Sequence, residues 1–154
     1  MKEGLTPNAV VVDLDGTLSN LRKRIQHAKN KEWEEFHLAA KDDQPHMDVL
    51  ITIEAWSANK HPIIVITGRN ERYRGMTLQW FAKHGIAVDA LLMRPDGNFD
   101  SDSAIKPQLL FMHFDGSRDK ATDEVLVILE DRESMVETWR NLGFNCWEVR
   151  PGEY

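Results

Sequence analysis

Ala9-Val10-Val11-Val12-Asp13-Leu14-Asp15-Gly16-Thr17-Leu18 is the stretch on which the fold turns. Residues 9–14 form a near-continuous apolar, β-branched run, the pattern of a strand buried on both faces of a parallel sheet. The run then breaks into two acids and a glycine. Alternation along a strand puts Asp13 and Asp15 on one side, and Gly16 lets the chain turn sharply away. Four more runs of this kind follow at 63–67, 90–93, 125–129 and 146–149. Between them lie helical stripes: Val49, Leu50, Ile53 and Trp56; Tyr73, Met76, Trp80 and Phe81; Met135, Val136, Trp139 and Leu142. Gly85 and Gly143 follow the last periodic residues, where a left-handed helix stop favours glycine. The order reads as a strand, an insert, and then helices alternating with four further strands. It predicts an α/β fold: a doubly wound, Rossmann-like, mostly parallel five-stranded sheet.

The size of the chain suits that plan. Its 154 residues make one domain, 1–154, and 42% hydrophobic with 29% charged residues exclude disorder. The single cysteine, Cys146, rules out an intrachain disulfide. Apolar runs are far short of a membrane span, and Met1-Lys2-Glu3-Gly4 leads into no signal-peptide core, so a cytoplasmic protein with no membrane partner is expected. A net charge of −6 argues against wrapping long duplex, whose affinity comes from neutralised phosphates. A small phosphorylated ligand or a nucleic-acid end needs only local cations, and Arg22-Lys23-Arg24, Arg69, Arg72 and Arg74 supply them.

The insert, about 19–44, stands where a short strand-to-helix turn is normal. It is basic at first and then offers a short helix with Asn30 as N-cap and Trp33, Phe36, His37 and Ala40 along one side. Placed over the carboxyl ends of the strands, it reads as a small cap, with a tolerated surface loop as the bland reading.

Chemistry gathers where strands end. Asp13-Leu14-Asp15-Gly16-Thr17 sets two carboxylates together, which without a cation repel and so imply a bound metal or a shared proton. Oxygen ligands of this kind suit Mg²⁺. Ile66-Thr67-Gly68-Arg69 ends the second main strand with a hydroxyl, a glycine-freed N–H and a guanidinium, an oxyanion-binding set that by itself is also ordinary turn chemistry. Leu129-Glu130-Asp131-Arg132 ends the fourth; Asp131 can complete a metal site opened by Asp13 if those strands are neighbours, or cap the next helix. Lys106, alone, reads as a solvated surface residue. Asp102, one helical turn before it, could orient Lys106 or an arginine.

Acid pair, hydroxyl, lysine and acid pair, in that order, resemble the haloacid dehalogenase superfamily of aspartate-nucleophile phosphotransferases. From Ile64 onward the chain is similar to the 3′-phosphatase domain of the bacteriophage polynucleotide kinase/phosphatase family. The resemblance rests on Glu130-Asp131-Arg132, Val136-Glu137-x-Trp139-Arg140-x-x-Gly143 and Cys146-Trp147-x-Val149-x-x-Gly152-Glu153-Tyr154. Arg24, Arg69, Tyr73 and Arg74 also fall in matching positions. Departures are Thr67 for serine, Glu130 for aspartate, a poorly matching stretch from Arg24 to Met47, and no Gly-x-x-x-x-Gly-Lys-Ser/Thr loop of a kinase domain.

The resemblance implies a phosphomonoesterase that uses Mg²⁺, with Mn²⁺ able to substitute. Asp13 would be nucleophile and Asp15 general acid and base. Asp13, Asp131, Glu130 (directly or through water) and the backbone of Asp15 would hold the metal. Thr67, Lys106 and the N–H groups of the Gly16 turn would bind phosphate oxygens, with Gly68 freeing the backbone. Arg24 and Arg69 would grip the substrate, with Asp102 beside them. The expected substrate is a 3′-phosphorylated nucleotide or nucleic-acid end in repair, in a host cytoplasm if the chain is a phage's. No separate protein partner is implied, and the oligomeric state stays open between monomer and homodimer. The alternative is a 5′-nucleotidase or small-metabolite phosphatase, which suits the acidic charge. A phospho-receiver module is the more distant alternative, but its acceptor belongs on the third main strand, where Ala90-Leu91-Leu92-Met93 ends in Arg94.

Overall fold

The valine run becomes strand β1 (Ala9–Asp13), with all five residues buried. The computed structural model describes residues 8–151. Met1–Gly4, read above for a targeting signal, and the matching Gly152-Glu153-Tyr154 lie outside them. After β1 come a two-residue strand β2 (Ser19–Asn20), helices α1 (Ile25–Lys29) and α2 (Trp33–Leu38), a 3-10 turn at Ala39–Asp42 and strand β3 (Gln44–Pro45). The rest alternates: α3 (Met47–Ala58), β4 (Ile63–Asn70), α4 (Arg74–Lys83), β5 (Ala90–Arg94), α5 (Asp102–His113), α6 (Arg118–Glu124), β6 (Val125–Glu130), α7 (Glu133–Asn141) and β7 (Cys146–Glu148).

The five expected strands form one parallel sheet in the order β5-β4-β1-β6-β7. The most apolar strand is central because both its faces must be covered. Val10 and Val12 pack with Val49, Leu50 and Ile53 of α3 and Trp80 and Phe81 of α4. Ala9 and Val11 pack on the opposite face with Leu110 of α5, Ala121 of α6 and Val136 and Trp139 of α7. Each buried Val, Leu or Ile contributes roughly 1.5–3 kcal/mol. Register sets Val12 beside Val65 and Leu129, so the carboxyl end of β1 lies between those of β4 and β6.

Gly16 takes φ 92°, and the N–H groups of Leu18 and Ser19 both bond back to the Leu14 carbonyl, folding the chain away from the strand. Gly85 and Gly143 stop α4 and α7 at φ 65° and 98°. The antiparallel β2–β3 ribbon, pairing Asn20 with Gln44, closes the base of the insert. No helix among the described residues is long and apolar enough to cross a membrane.

Four expectations are corrected. The insert holds two helices, and Asn30 ends α1 while Glu32 precedes α2; a lysine at positive φ, Lys31, separates them. Two helices, not one, connect β5 to β6, because Ser117 caps a fresh helix by accepting from the Lys120 N–H. β4 runs on past the expected end at Thr67 to Asn70, so Gly68 and Arg69 belong to the strand and not to a turn after it. Phe36 is buried, but Trp33, expected along the same side of the helix, is 55% exposed.

Candidate active site

Asp13 closes β1 with its carboxylate buried. Lys106, in α5, reaches it: Nζ donates to Asp13 Oδ1 at 2.7 Å and to Glu130 Oε2 at 3.2 Å. Lys106 is itself buried, which overturns its reading as a solvated side chain. Burial works to lower its ammonium, but Asp13 and Glu130 outweigh that and hold it above its ordinary range. Thr17 Oγ1 lies 3.1 Å from Asp13 Oδ2 and 3.0 Å from Asp131 Oδ1, tying the β1 turn to the end of β6. Glu130 Oε1 accepts from the Asp131 N–H at 3.1 Å, turning the chain out of the sheet. The N-cap position of α7 is Arg132, not Asp131.

One oxygen each from Asp13, Glu130 and Asp131 lies within 4.8 Å of the others, and all three residues are buried. Burial, and then the charges of Glu130 and Asp131, push the Asp13 carboxyl well above the usual carboxylate range against the pull of Lys106. An all-oxygen, anionic donor set whose members repel one another fits a small divalent cation, which would relieve that repulsion. The carboxylate of Asp15 is not in this group. It is turned to two arginines, which agrees with expecting the backbone carbonyl of Asp15, and not its carboxylate, toward a metal.

Asp15 Oδ1 accepts from Nη2 of Arg24 and from Nη2 of Arg69, the latter at 2.5 Å. Burial works to raise the Asp15 carboxyl, but Arg69 and Arg24 hold it well below the ordinary range. The acid pair is therefore not without cations: Asp13 has Lys106, and Asp15 has two guanidinium groups. Arg24 is saturated. Its Nε and Nη2 bond Asp43, its Nη1 bonds the Phe36 carbonyl at 3.3 Å, and its guanidinium lies 4.3 Å from the Phe36 ring centre. It is 1% exposed and is turned to Asp15 and Asp43 in this structure. Arg69 differs. Its Nη1 donates to Thr77 at 2.9 Å, but its buried Nε has no partner. Thr67 Oγ1 lies 3.5 Å from Asp15 Oδ2 and accepts from the Arg69 N–H at 3.0 Å. The Gly16 N–H is spent on the Ser19 carbonyl at 2.9 Å, so that N–H is withdrawn from phosphate binding.

Asp102 is turned to arginines, one of the two partners expected for it. It pairs with Arg94 at 2.6 Å and Arg132 at 3.0 Å, and Arg94 Nε donates to the Gly68 carbonyl at 2.8 Å. A Cβ at Gly68 would stand 2.3 Å from Asp102 Oδ1, so only glycine allows this approach. The network holds the Thr67–Arg69 segment from behind.

Sequence reasoning missed Asp43, Arg94, Thr77 and His37 as parts of this site. Asp43 lies in an unpatterned acidic stretch, and nothing local marks it; in the structure Trp80 Nε1 donates to its carbonyl at 2.8 Å. His37, on α2, packs 5.0 Å from the Tyr73 ring. Burial, and then the net effect of Asp15 against Arg69, Arg24 and Arg72, lowers its imidazole to about 4.

Residues 7–154 match the family model for the polynucleotide kinase PNKP phosphatase domain. Two chains from solved Pnkp1/Rnl/Hen1 complexes, one described as an RNA repair complex, superpose with TM-scores of 0.79 and 0.80 at 29% and 31% identity. They cover 100% and 96% of this chain, which spans only 46% and 47% of theirs. A phosphatase structure from Clostridium difficile shares the fold at TM-score 0.70 and 14% identity, over 97% of this chain and 87% of its own. The α/β sheet and its strand-end acids are those of a haloacid dehalogenase superfamily phosphatase. The chain belongs to the polynucleotide kinase PNKP phosphatase-domain family within it.

Proposed function

We propose that this chain removes a terminal 3′-phosphate from a nucleic-acid end through a phospho-aspartate formed on Asp13, residues 1–154 acting as one phosphatase domain with 19–44 as its cap. The observation that carries the chemistry is the buried Asp13 carboxylate held by Lys106 at 2.7 Å beside Glu130 and Asp131. Mg²⁺, or Mn²⁺ in its place, held by Asp13, Asp131 and Glu130, would lower the repulsion between nucleophile and phosphate dianion. Asp13 attacks phosphorus, and the bond from phosphorus to the sugar 3′ oxygen breaks. Asp15 delivers a proton to that leaving oxygen, then takes one from the water that hydrolyses the acyl phosphate. Lys106 and Thr67 bind the phosphate oxygens where charge spreads in the transition state.

Asp15 must carry a proton to act as acid, and the two arginines oppose this. The partnerless Nε of Arg69 supports a resolution. A bound phosphate dianion draws Arg69 toward itself, weakens the hold on Asp15 and lets its pKa rise as substrate arrives. Arg24, fixed by Asp43, keeps Asp15 aimed.

The family and the RNA repair complex containing its relatives support an RNA or DNA 3′ end as substrate. The proposed chemistry calls for no protein partner, and the relatives' assembly with Rnl and Hen1 makes such a partner an open experiment. The net charge of −6 favours one second reading, a nucleotidase acting on free mononucleotides. A panel of 3′- and 5′-phosphorylated mono- and oligonucleotides separates the two. The 3′-phosphorylated oligonucleotide should give the highest kcat/KM; a 5′-mononucleotide in that place would install the second reading.

A further inference from the structure

Helix α2 lays its Phe36–His37 face over the arginine pair. Phe36 covers the Arg24 guanidinium, and His37 packs on Tyr73 of the body, 5.3 Å from Phe36. Trp33 lies three and four residues before them, so it shares their face of the helix one turn further out. Its ring meets Phe36 edge-on at 6.0 Å. Phe36 is 7% exposed, yet Trp33 is 55% exposed. An indole held edge-on by a buried ring, with its own surface left open, is pre-ordered at little further entropic cost for a flat apolar partner. Only two contacts, of 6.0 and 4.3 Å, separate it from the guanidinium that holds Asp15. Arg72, 62% exposed, lies 5.7 Å over the Tyr73 ring on the side of His37 and pairs with the exposed Asp96 at 3.7 Å.

We infer that Trp33 is the stacking platform for the base of the nucleotide that carries the scissile phosphate. This rests on the nucleic-acid reading above and adds to it the part of the substrate that the cap recognises. Stacking on an indole is tolerant of sequence, because every base presents a π-face. The platform therefore suits an enzyme that takes ends of any sequence.

The test compares two 3′-phosphorylated oligonucleotides, one with a terminal base and one abasic at that sugar, for wild type, Trp33→Ala and Trp33→Phe. The ratio of their kcat/KM values isolates the base. In Trp33→Ala this ratio should fall by about tenfold, through KM more than kcat, and Trp33→Phe should restore most of it. An unchanged ratio overturns the inference, including the case where both substrates lose equally because the cap is disturbed. Running the same pair with the phosphate at the 5′ end scores the end-healing reading separately. If 5′ ends prove better substrates, that reading fails while the base ratio still decides the role of Trp33.

Discussion

Arg69 and Asp15, 54 residues apart in sequence, meet at 2.5 Å between Nη2 and Oδ1. The pair joins the second strand-end motif to the first and sets the proton affinity of the proposed acid. Asp15 is held below the ordinary carboxylate range, so its contribution to stability is present above about pH 4 and is lost only in stronger acid. Arg69→Ala narrows that gap, and the acid-unfolding midpoint followed by circular dichroism should move to higher pH. The same variant loses a phosphate donor, and kcat/KM should fall by about 10²–10³-fold.

Arg24 should behave differently. Arg24→Ala leaves the buried Asp43 without its two-point partner, and removing one member of a buried pair costs about 3–5 kcal/mol. Thermal melts should show a much larger loss of stability than for an exposed arginine such as Arg22. Arg24→Lys restores charge but not the fork, so it should recover part of the stability and little of kcat.

Asp13→Asn should abolish turnover, because an amide is a poor nucleophile. Burial and acidic neighbours disfavour the ionised Asp13 in the fold, so without metal it weakens stability as pH rises above about 4. The metal-free variant should therefore melt higher at neutral pH, by a few degrees for each 1 kcal/mol relieved, roughly 2–4 °C at this chain length. Added Mg²⁺ should raise the wild-type melting temperature more than that of the variant, which lacks one anionic ligand. Activity should vanish in EDTA, return with Mg²⁺ or Mn²⁺ and be inhibited by Ca²⁺, whose looser coordination aligns nucleophile and phosphate poorly.

Gly68→Ala tests the supporting network. The new methyl must displace Asp102 from Arg94 and Arg132, because its Cβ would lie 2.3 Å from Asp102 Oδ1. We expect kcat to fall at least about tenfold with the sheet intact by circular dichroism. Wild-type kinetics in this variant would remove Asp102 from the account.

The sheet was legible because its signal is local. Each strand is an apolar run, and the valines of β1 admit no other place than the centre. Asp13 and Asp131 were legible as neighbours because strand ends converge on one edge of a parallel sheet, whereas Lys106, inside α5, was marked only by the resemblance. What escaped depends on side chains crossing between elements. Asp43 matters only because Arg24 reaches it from across the insert, and Arg94 only because Asp102 and Gly68 come to it from other elements. The two arginines at Asp15 were not legible, because spacing says which side a carboxylate faces and not which cation waits there. Trp33 and Phe36 carry the same helical spacing, and only packing separates the buried ring from the exposed one.

The central claim is that Asp13 forms a covalent bond to phosphorus. Borohydride reduces an aspartyl phosphate to homoserine, so the direct measurement is rapid quenching into borohydride during turnover of a 3′-phosphorylated oligonucleotide, followed by peptide mass spectrometry. The account predicts homoserine at position 13, dependent on substrate and absent in Asp13→Asn. Reduction at a different carboxylate, or sustained turnover in a clean Asp13→Asn preparation, would contradict it.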